Sequence, residues 1–437
     1  LFMDRRTFIS LSALLPFFGL KKLLANRNLN FLHETYVAKM TRDPNKIVDL
    51  HPQLQYKIIS EAGSIMSDGY KVPALADGMG SFNVDDNIVL VRNHELDIKN
   101  GMKKSAFVDP KQQIKELGSK HYDKNAIGGT TTIVLDRSSK RVKREYLSLS
   151  GTDDNCSGGV TPWGTWLTCE ESIDKKKANT IPHGYVFEVD PKNNTVNPPV
   201  PLKKMGRFYH EAVAFDKFQN AYLTEDRSDG LIYKFTPKKL NSLKDGFLYA
   251  LKIKGKKDSR NWRNPSIEVN KRYIAEWVRI EDVDPDDDTM RYEGLVNGAT
   301  PFSRPEGIVA DKDSLYVCCT SGGPLKRGQI WKIIPIDQDE TQIELWYEVQ
   351  DGASLNMPDN IVVAPWGDLI VCEDNSTVNR LWGITPKGHP YLIAENKYSG
   401  AEFAGVCFSP FDNTLFVNLQ QRGVTLSIDG NWKNVIS

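Results

Sequence analysis

The feature that most limits what this chain can become is a hairpin that recurs. HEAVAFDKFQNAYLTED (210–226), PEGIVADKDSLYVCCTS (305–321), PDNIVVAPWGDLIVCED (358–374) and AEFAGVCFSPFDNTLFVNLQ (401–420) share one form. Each runs from an acid through a short apolar strand, a turn and a second apolar strand to a polar or acidic end. Turns such as PWGD and PFDN carry the Gly, Pro, Asp and Asn residues that tight turns favour. CSGGVTPWGTWLTCEE (156–171) fits the same frame, and GSFNVDDNIVLVRNHE (80–95) is a looser copy. TTTIVLD (130–136), YVFEVD (185–190), LIYKFTP (231–237), QIWKIIP (329–335) and RLWGITP (380–386) supply outer strands. A lone hairpin cannot bury its apolar face, whereas hairpins arranged around an axis bury one another's. The expectation is an all-β, six-bladed β-propeller with inserted loops and short helices, filling residues 27–437 as a single domain. Residues 96–125, with a short helix near Pro110 to Leu117, and residues 238–300 read as insertions. The acidic run at 281–294 reads as a solvated charge run rather than a calcium loop.

A propeller turns the same position of every repeat toward one channel. That position holds Cys156, Glu211, Glu306, Asp359 and Glu402, with Glu95 ending the looser copy. Glu171 follows Cys156 by 15 residues, much as Glu225 follows Glu211 by 14 and Glu373 follows Asp359 by 14. One such acid is ordinarily a solvated loop carboxylate. A converging ring of them repels itself at neutral pH unless cations bind. Oxygen ligands suit Ca²⁺, Mg²⁺ or Mn²⁺, and a thiolate suits a softer or redox-active ion such as iron or zinc. Two kinds of metal are therefore expected, a thiolate-bearing transition centre and a carboxylate-only calcium centre.

Cys169, Cys318, Cys319, Cys372 and Cys407 lie in apolar strand-like runs and read as buried small hydrophobes. Cys156 instead reads as part of a polar, glycine-flanked loop. His94 and His210 directly precede Glu95 and Glu211, which makes them candidates for substrate contact or for packing. Arg304 stands two residues before Glu306, at the expected channel mouth. Its planar fork matches phosphate oxygens; simple pairing with Glu306 is the other reading.

Asp4-Arg5-Arg6-Thr7-Phe8-Ile9, the apolar run to Leu20 and Lys21-Lys22 read as a twin-arginine export signal over residues 1–26. The run is shorter than the roughly 20 residues of a membrane span. Such cargo passes the Tat machinery already folded, so a periplasmic or secreted location is expected. Lys plus Arg (56) equals Asp plus Glu (56), and nothing asks for nucleic acid or an anionic membrane as the main partner.

The twin-arginine start, GGTTTIVLD, NCSGG, TCEES, GRFYHEA, RPEG, PDN and SGAEFAGVCFSP together resemble the PhoX-type alkaline phosphatases, from about residue 60 onward. The resemblance implies a six-bladed propeller holding iron and calcium, with a cysteine bridging the irons. It also implies an oxo group joining the metals as the nucleophile toward phosphomonoesters, in the service of phosphate acquisition. On that likeness Cys156 would bridge iron, with Glu171 and Glu211 as iron ligands and Glu306 shared between iron and calcium. Glu95, Asp359 and Glu402 would lie on the calcium side, Arg304 would hold phosphate, and the protein would act as a monomer. Two other readings stay open: a calcium-dependent lactonase or esterase propeller, and a non-catalytic exported binding propeller stabilised by calcium. Cys156 speaks against both, because neither needs a thiolate in the ring.

Overall fold

The computed structural model describes residues 40–173, 180–338, 340–351, 354–397 and 400–436. The expected export signal lies outside them.

The strands form antiparallel sheets in which each inner hairpin is extended outward by the next strands of the chain. Ala76–Val84, Asn87–His94, Gly128–Leu135 and Val142–Thr152 make one four-stranded sheet. Its first hairpin turns on Asp85 and Asp86, both at positive φ (49° and 61°), the type I′ geometry that matches strand twist. Asn155–Val160, Trp166–Glu170 and Val186–Val189 make a three-stranded sheet. A nine-stranded sheet follows, with two hairpin-started runs, His210 to Ile253 and Pro305 to Glu348, joined through Arg272–Ile280. The architecture is all-β and propeller-like, in five hydrogen-bonded sheets.

The last two sheets are completed by the start of the described chain. Val48–Leu50 pairs with Pro390–Asn396 on the Pro358 sheet, and Leu54–Glu61 pairs with Val424–Gly430 on the Phe403 sheet. Strands from opposite ends of the sequence thus pair with each other, which ties the start of the described chain to its end, with Val48–Leu50 and Leu54–Glu61 as the new outer edges. The six innermost strands, starting at Ala76, Asn155, His210, Pro305, Pro358 and Phe403, pack side by side around a central channel. They are buried along most of their length, and the core lies between neighbouring sheets, around residues such as Trp331, Trp382, Phe302 and Phe403.

The inner hairpins lie where the repeat placed them, and the helix Pro110–Leu117 is present, capped by the Asp109 carboxylate on the Gln112 amide. The 238–300 segment departs from expectation. Ser242–Ile253 is an outer strand paired with Ile232–Lys239, and Arg272–Ile280 is the strand that joins the two runs. Their charged residues lie on partly exposed faces (Lys252 and Lys254 pair with Glu276), so a strand pattern looked like a polar loop. In the acidic run, Asp284 accepts from Tyr185 and pairs with Lys203, while Asp288 pairs with Arg227 and Arg291.

Candidate metal centre

Every innermost strand breaks register near its start. The breaks fall between Ala76 and Met79, Asn155 and Gly158, His210 and Val213, Pro305 and Ile308, Pro358 and Ile361, and Ala404 and Cys407. A bulge adds an unpaired residue and re-aims its side chain. The first residue inside each break is Asp77, Cys156, Glu211, Glu306, Asp359 or Gly405. This is the repeated position inferred from sequence, with two corrections. Asp77, not Glu95, occupies it in the first sheet. In the last sheet the break opens one residue later, at Gly405, which follows Ala404 as Gly78 follows Asp77, and Glu402 lies ahead of the strand. Gly405 sits at φ 61°, and a Cβ there would lie 2.1 Å from the Asp77 carbonyl, so no side chain fits. Cys156 also differs from expectation: it is a buried residue of the strand Asn155–Val160, not of a loop.

A second tier comes from the residue that follows each partner strand: Glu95, Glu171, Asp226, Thr320, Asp374 and Gln420. Successive strand residues face opposite ways, so the acid one position earlier does different work. Glu170 accepts from the Gly184 and Tyr185 amides, Glu225 from Leu231 N and Tyr233 OH, and Glu373 from Asn356 N and Trp382 Nε1. Glu225 and Glu373, aligned with Glu171 by spacing alone, are therefore structural. Their channel-side equivalents are Asp226 and Asp374. The missed residues Asp77, Asp226 and Asp374 had a signal, the doubled acids ED at 225–226 and 373–374 and the bulge-making Asp-Gly at 77–78.

The two tiers bring most of the expected ligands together. One ligand atom each from Cys156, Glu171 and Glu211 lie within 4.8 Å of one another, and so do those of Glu211, Glu306 and Asp359. Glu211 belongs to both groups. Gln420 Nε2 donates to Asp77 at 2.7 Å and to Glu95 at 2.6 Å, and Gln421 Nε2 donates to Glu402 at 2.9 Å. Arg304 Nε and Nη2 grip both oxygens of Asp226 at 2.9 and 3.0 Å, and Nη1 reaches Asp374 at 3.0 Å. Nη2 also lies 2.5 Å from Glu306 Oε1, a buried oxygen without a well-aligned hydrogen bond. Pairing with Glu306 is thus part of a wider clamp, because three carboxylates surround this guanidinium.

Burial first, then the charges of the neighbours, pushes the carboxyls of Asp77, Glu171, Glu211, Glu306 and Glu402 well above their usual range. Asp359 rises to about 7, with burial and Asp374 as the leading causes. Burial and the charges of Glu211 and Glu171 likewise push the Cys156 thiol far up. Protons or cations must neutralise such a site. The donor set fits bound cations: buried oxygens converge from several strands, with one sulfur at the edge of the first group.

The histidines are committed to the fold. His94 bonds Ala74 O (2.9 Å) and Thr131 Oγ1 (2.8 Å) through its two ring nitrogens, leaving neither for substrate. His210 is fully buried, stacked on Phe208, with Nε2 on Gly206 O at 2.9 Å. Packing, rather than substrate contact, is what both rings do here. The six cysteines are buried and free, as expected for the five in apolar strands.

Among solved structures, a virginiamycin B lyase from Staphylococcus aureus is similar at 11% identity over 86% of this chain and 98% of its own, with a TM-score of 0.39. A gluconolactonase from Xanthomonas campestris shows 13% identity over 90% and 100%, TM-score 0.37. A nutrient binding protein from Bacteroides ovatus shows 9% over 87% and 78%, TM-score 0.43. Likenesses at this level carry no functional argument. Comparison with curated proteins finds no match. The sequence profile described as alkaline phosphatase PhoX matches residues 35–423, nearly the whole chain. With that match, and with a cysteine set among converging carboxylates at the channel, the chain belongs to the PhoX alkaline phosphatase family.

Proposed function

We propose that this protein is an exported phosphatase that hydrolyses phosphomonoesters at the mouth of a six-bladed propeller. The six blades follow if the nine-stranded sheet counts as two that share Arg272–Ile280. The observation that carries the functional reading is the pair of ligand groups sharing Glu211, one of which contains Cys156. Cys156, Glu171 and Glu211 would hold iron. Glu306 and Asp359, with Asp77, Glu95, Glu402, Asp226 and Asp374 around them, would complete the iron side and hold calcium. Bound there, the ions would neutralise the substrate phosphate and supply a nucleophile at neutral or alkaline pH without a serine triad.

The protein's own share is positioning. Bulged backbones hold the ligating side chains at the channel, and Gln420 and Gln421 orient three of the carboxylates. Arg304, whose side chain is 29% exposed, carries the positive charge between the ring and solvent. When cations neutralise Asp226, Glu306 and Asp374, the donors those acids now occupy become available to phosphate oxygens. The fork then favours a planar pair of oxygens whose charge shifts as the ester bond breaks.

Elemental analysis and aryl phosphate turnover on one preparation test this reading. Iron with calcium, and phosphate release, are expected. Calcium alone with lactone hydrolysis would return the lactonase reading, and calcium alone without turnover the binding-protein reading. No helix among the described residues is long and apolar enough to cross a membrane. We assign the twin-arginine segment to export into the periplasm or beyond. Cell fractionation of native and Arg5→Lys/Arg6→Lys chains checks that step.

A further inference from the structure

Beside the ring mouth, the loops at 258–264 and 320–328 enclose a cavity of about 520 Å³ lined by Asp258, Arg260, Trp262, Arg263 and Lys326. Trp262 is the floor of its charge pattern. The Arg260 guanidinium carbon lies 4.3 Å, and Lys326 Nζ 4.6 Å, from the indole centroid. Arg260 is partly spent, since Nε and Nη2 bind both oxygens of Asp258 at 2.9 and 2.7 Å. Among the described residues, Arg263 and Lys326 meet no carboxylate within ion-pair distance, and both are exposed. Among the lining residues, three cations thus stand with one carboxylate. Glu348, which accepts from the neutral amides of Asn261 at 3.0 Å and Gln329 at 2.8 Å, lies outside this lining.

The cup is tied to the ring mouth by short contacts. Trp262 Nε1 donates to Ser321 O at 2.7 Å, and the Ser321 hydroxyl meets that of Ser303 at 2.7 Å. Ser303 precedes Arg304, and the Thr320 amide donates to Arg304 O at 3.0 Å. Arg260 Nη1 reaches Ser228 O at 3.1 Å, on the loop that follows Asp226. One strand spacing plus an indole separates the cup from the Arg304 backbone, on the order of 10 Å. A phosphoester approaching the carboxylate ring therefore has a cationic, aromatic-floored hollow beside it, where the Arg304 charge is already matched by acids.

We propose that this cup is a subsite for a second phosphate on the leaving group, so that the protein favours bisphosphorylated small molecules, such as sugar bisphosphates, over their monophosphates. The proposal rests on the phosphatase reading for the first phosphate. Exposed ion pairs are individually weak, worth up to about fivefold in affinity each. Arg263 and Lys326 together should therefore supply about a tenfold preference, one that fades as salt screens them.

The test separates binding from turnover. Hexane-1,6-bisphosphonate and hexylphosphonate contain no ester to cleave, so calorimetry on the metal-loaded protein reads binding alone. Wild type should bind the bisphosphonate about tenfold tighter, and Arg263→Ala/Lys326→Ala should bind the two alike. Trp262→Phe, which keeps an aromatic floor, should retain most of the preference. In turnover, the KM of the double variant for fructose 1,6-bisphosphate should rise about tenfold toward that for fructose 6-phosphate. Equal binding of the two phosphonates by wild type, or a preference that survives in the double variant, would overturn the subsite. Failure of wild type to release phosphate from any ester would instead sink the phosphatase reading, while the phosphonate comparison still decides the cup.

Discussion

The thiol of Cys156 donates to the backbone carbonyl of His210 at 3.1 Å, so the one sulfur of the ring bridges two neighbouring inner strands. The bond gives the buried thiol a carbonyl acceptor. It also explains how the side chain is aimed beside Glu211, the residue after His210.

Cys156→Ser should leave the propeller folded, because a hydroxyl can make the same bond to His210. A serine oxygen is seldom deprotonated enough to replace a thiolate toward iron, so iron and turnover should both fall to near background. Cys169→Ser, buried in its strand, should cost stability but not iron. Iron content, activity and thermal melting of the two variants check this; full iron in Cys156→Ser would refute the assignment.

Stripping cations should loosen the ring. The carboxyls of Glu171, Glu211 and Glu306 are then left to bind protons or repel one another, and the inner strands that carry them lose a shared tie. At a cation concentration 100 times Kd, binding is worth about 2.7 kcal/mol of stability per site. A chelator titration followed by melting and activity should show both fall, with recovery on adding calcium and iron back. An unchanged melting temperature would count against a metal ring.

Arg304→Ala should cut aryl phosphate turnover by about two to three orders of magnitude, the cost of roughly 2–4 kcal/mol of lost charge stabilisation. Arg304→Lys should recover part, since a point charge cannot grip both oxygens of Asp226 or of a phosphate. Iron content should hold near wild type, and inhibition by free phosphate should weaken in step with turnover. Normal turnover together with normal phosphate inhibition would leave the arginine a purely structural clamp.

His183 predicts a pH-dependent stability. It sits between Glu170 (2.6 Å) and Asp123 (3.4 Å), and their charges outweigh its burial to raise it to about 9. A raised folded-state value stabilises fully below the unfolded value near 6.5 and is lost as pH climbs through 9. The contribution is on the order of 3 kcal/mol. Wild type should therefore lose melting temperature between pH 6.5 and 9, and His183→Gln should be less stable at pH 6 with a flatter profile. Parallel profiles for the two proteins would remove this role.

Gly405→Ala should be severely destabilising, by several kcal/mol, because both φ 61° and the Asp77 carbonyl oppose a Cβ. Gly400, with positive φ but open space around it, is the control and should cost about 1 kcal/mol. Denaturant midpoints of the two variants make the comparison; equal losses would show that strain alone, not contact with Asp77, fixes the glycine.

The recurring hairpin was legible in the chain because apolar alternation and turn residues are local. They placed the inner strands near His210, Pro305 and Pro358 and brought Cys156, Glu211, Glu306 and Asp359 to one position. The tertiary structure decided what local pattern does not encode. Whether Glu225 or Asp226 faces the channel depends on strand register and on a bulge in the partner strand, one residue that reverses every side chain after it. The outer strand Leu54–Glu61 closes the ring only by pairing with Val424–Gly430, hundreds of residues away. Asp77 joined the ring, and Gly405 was held to a bare backbone, because those two strands meet where the ring closes, a contact that exists only once the whole circle has formed.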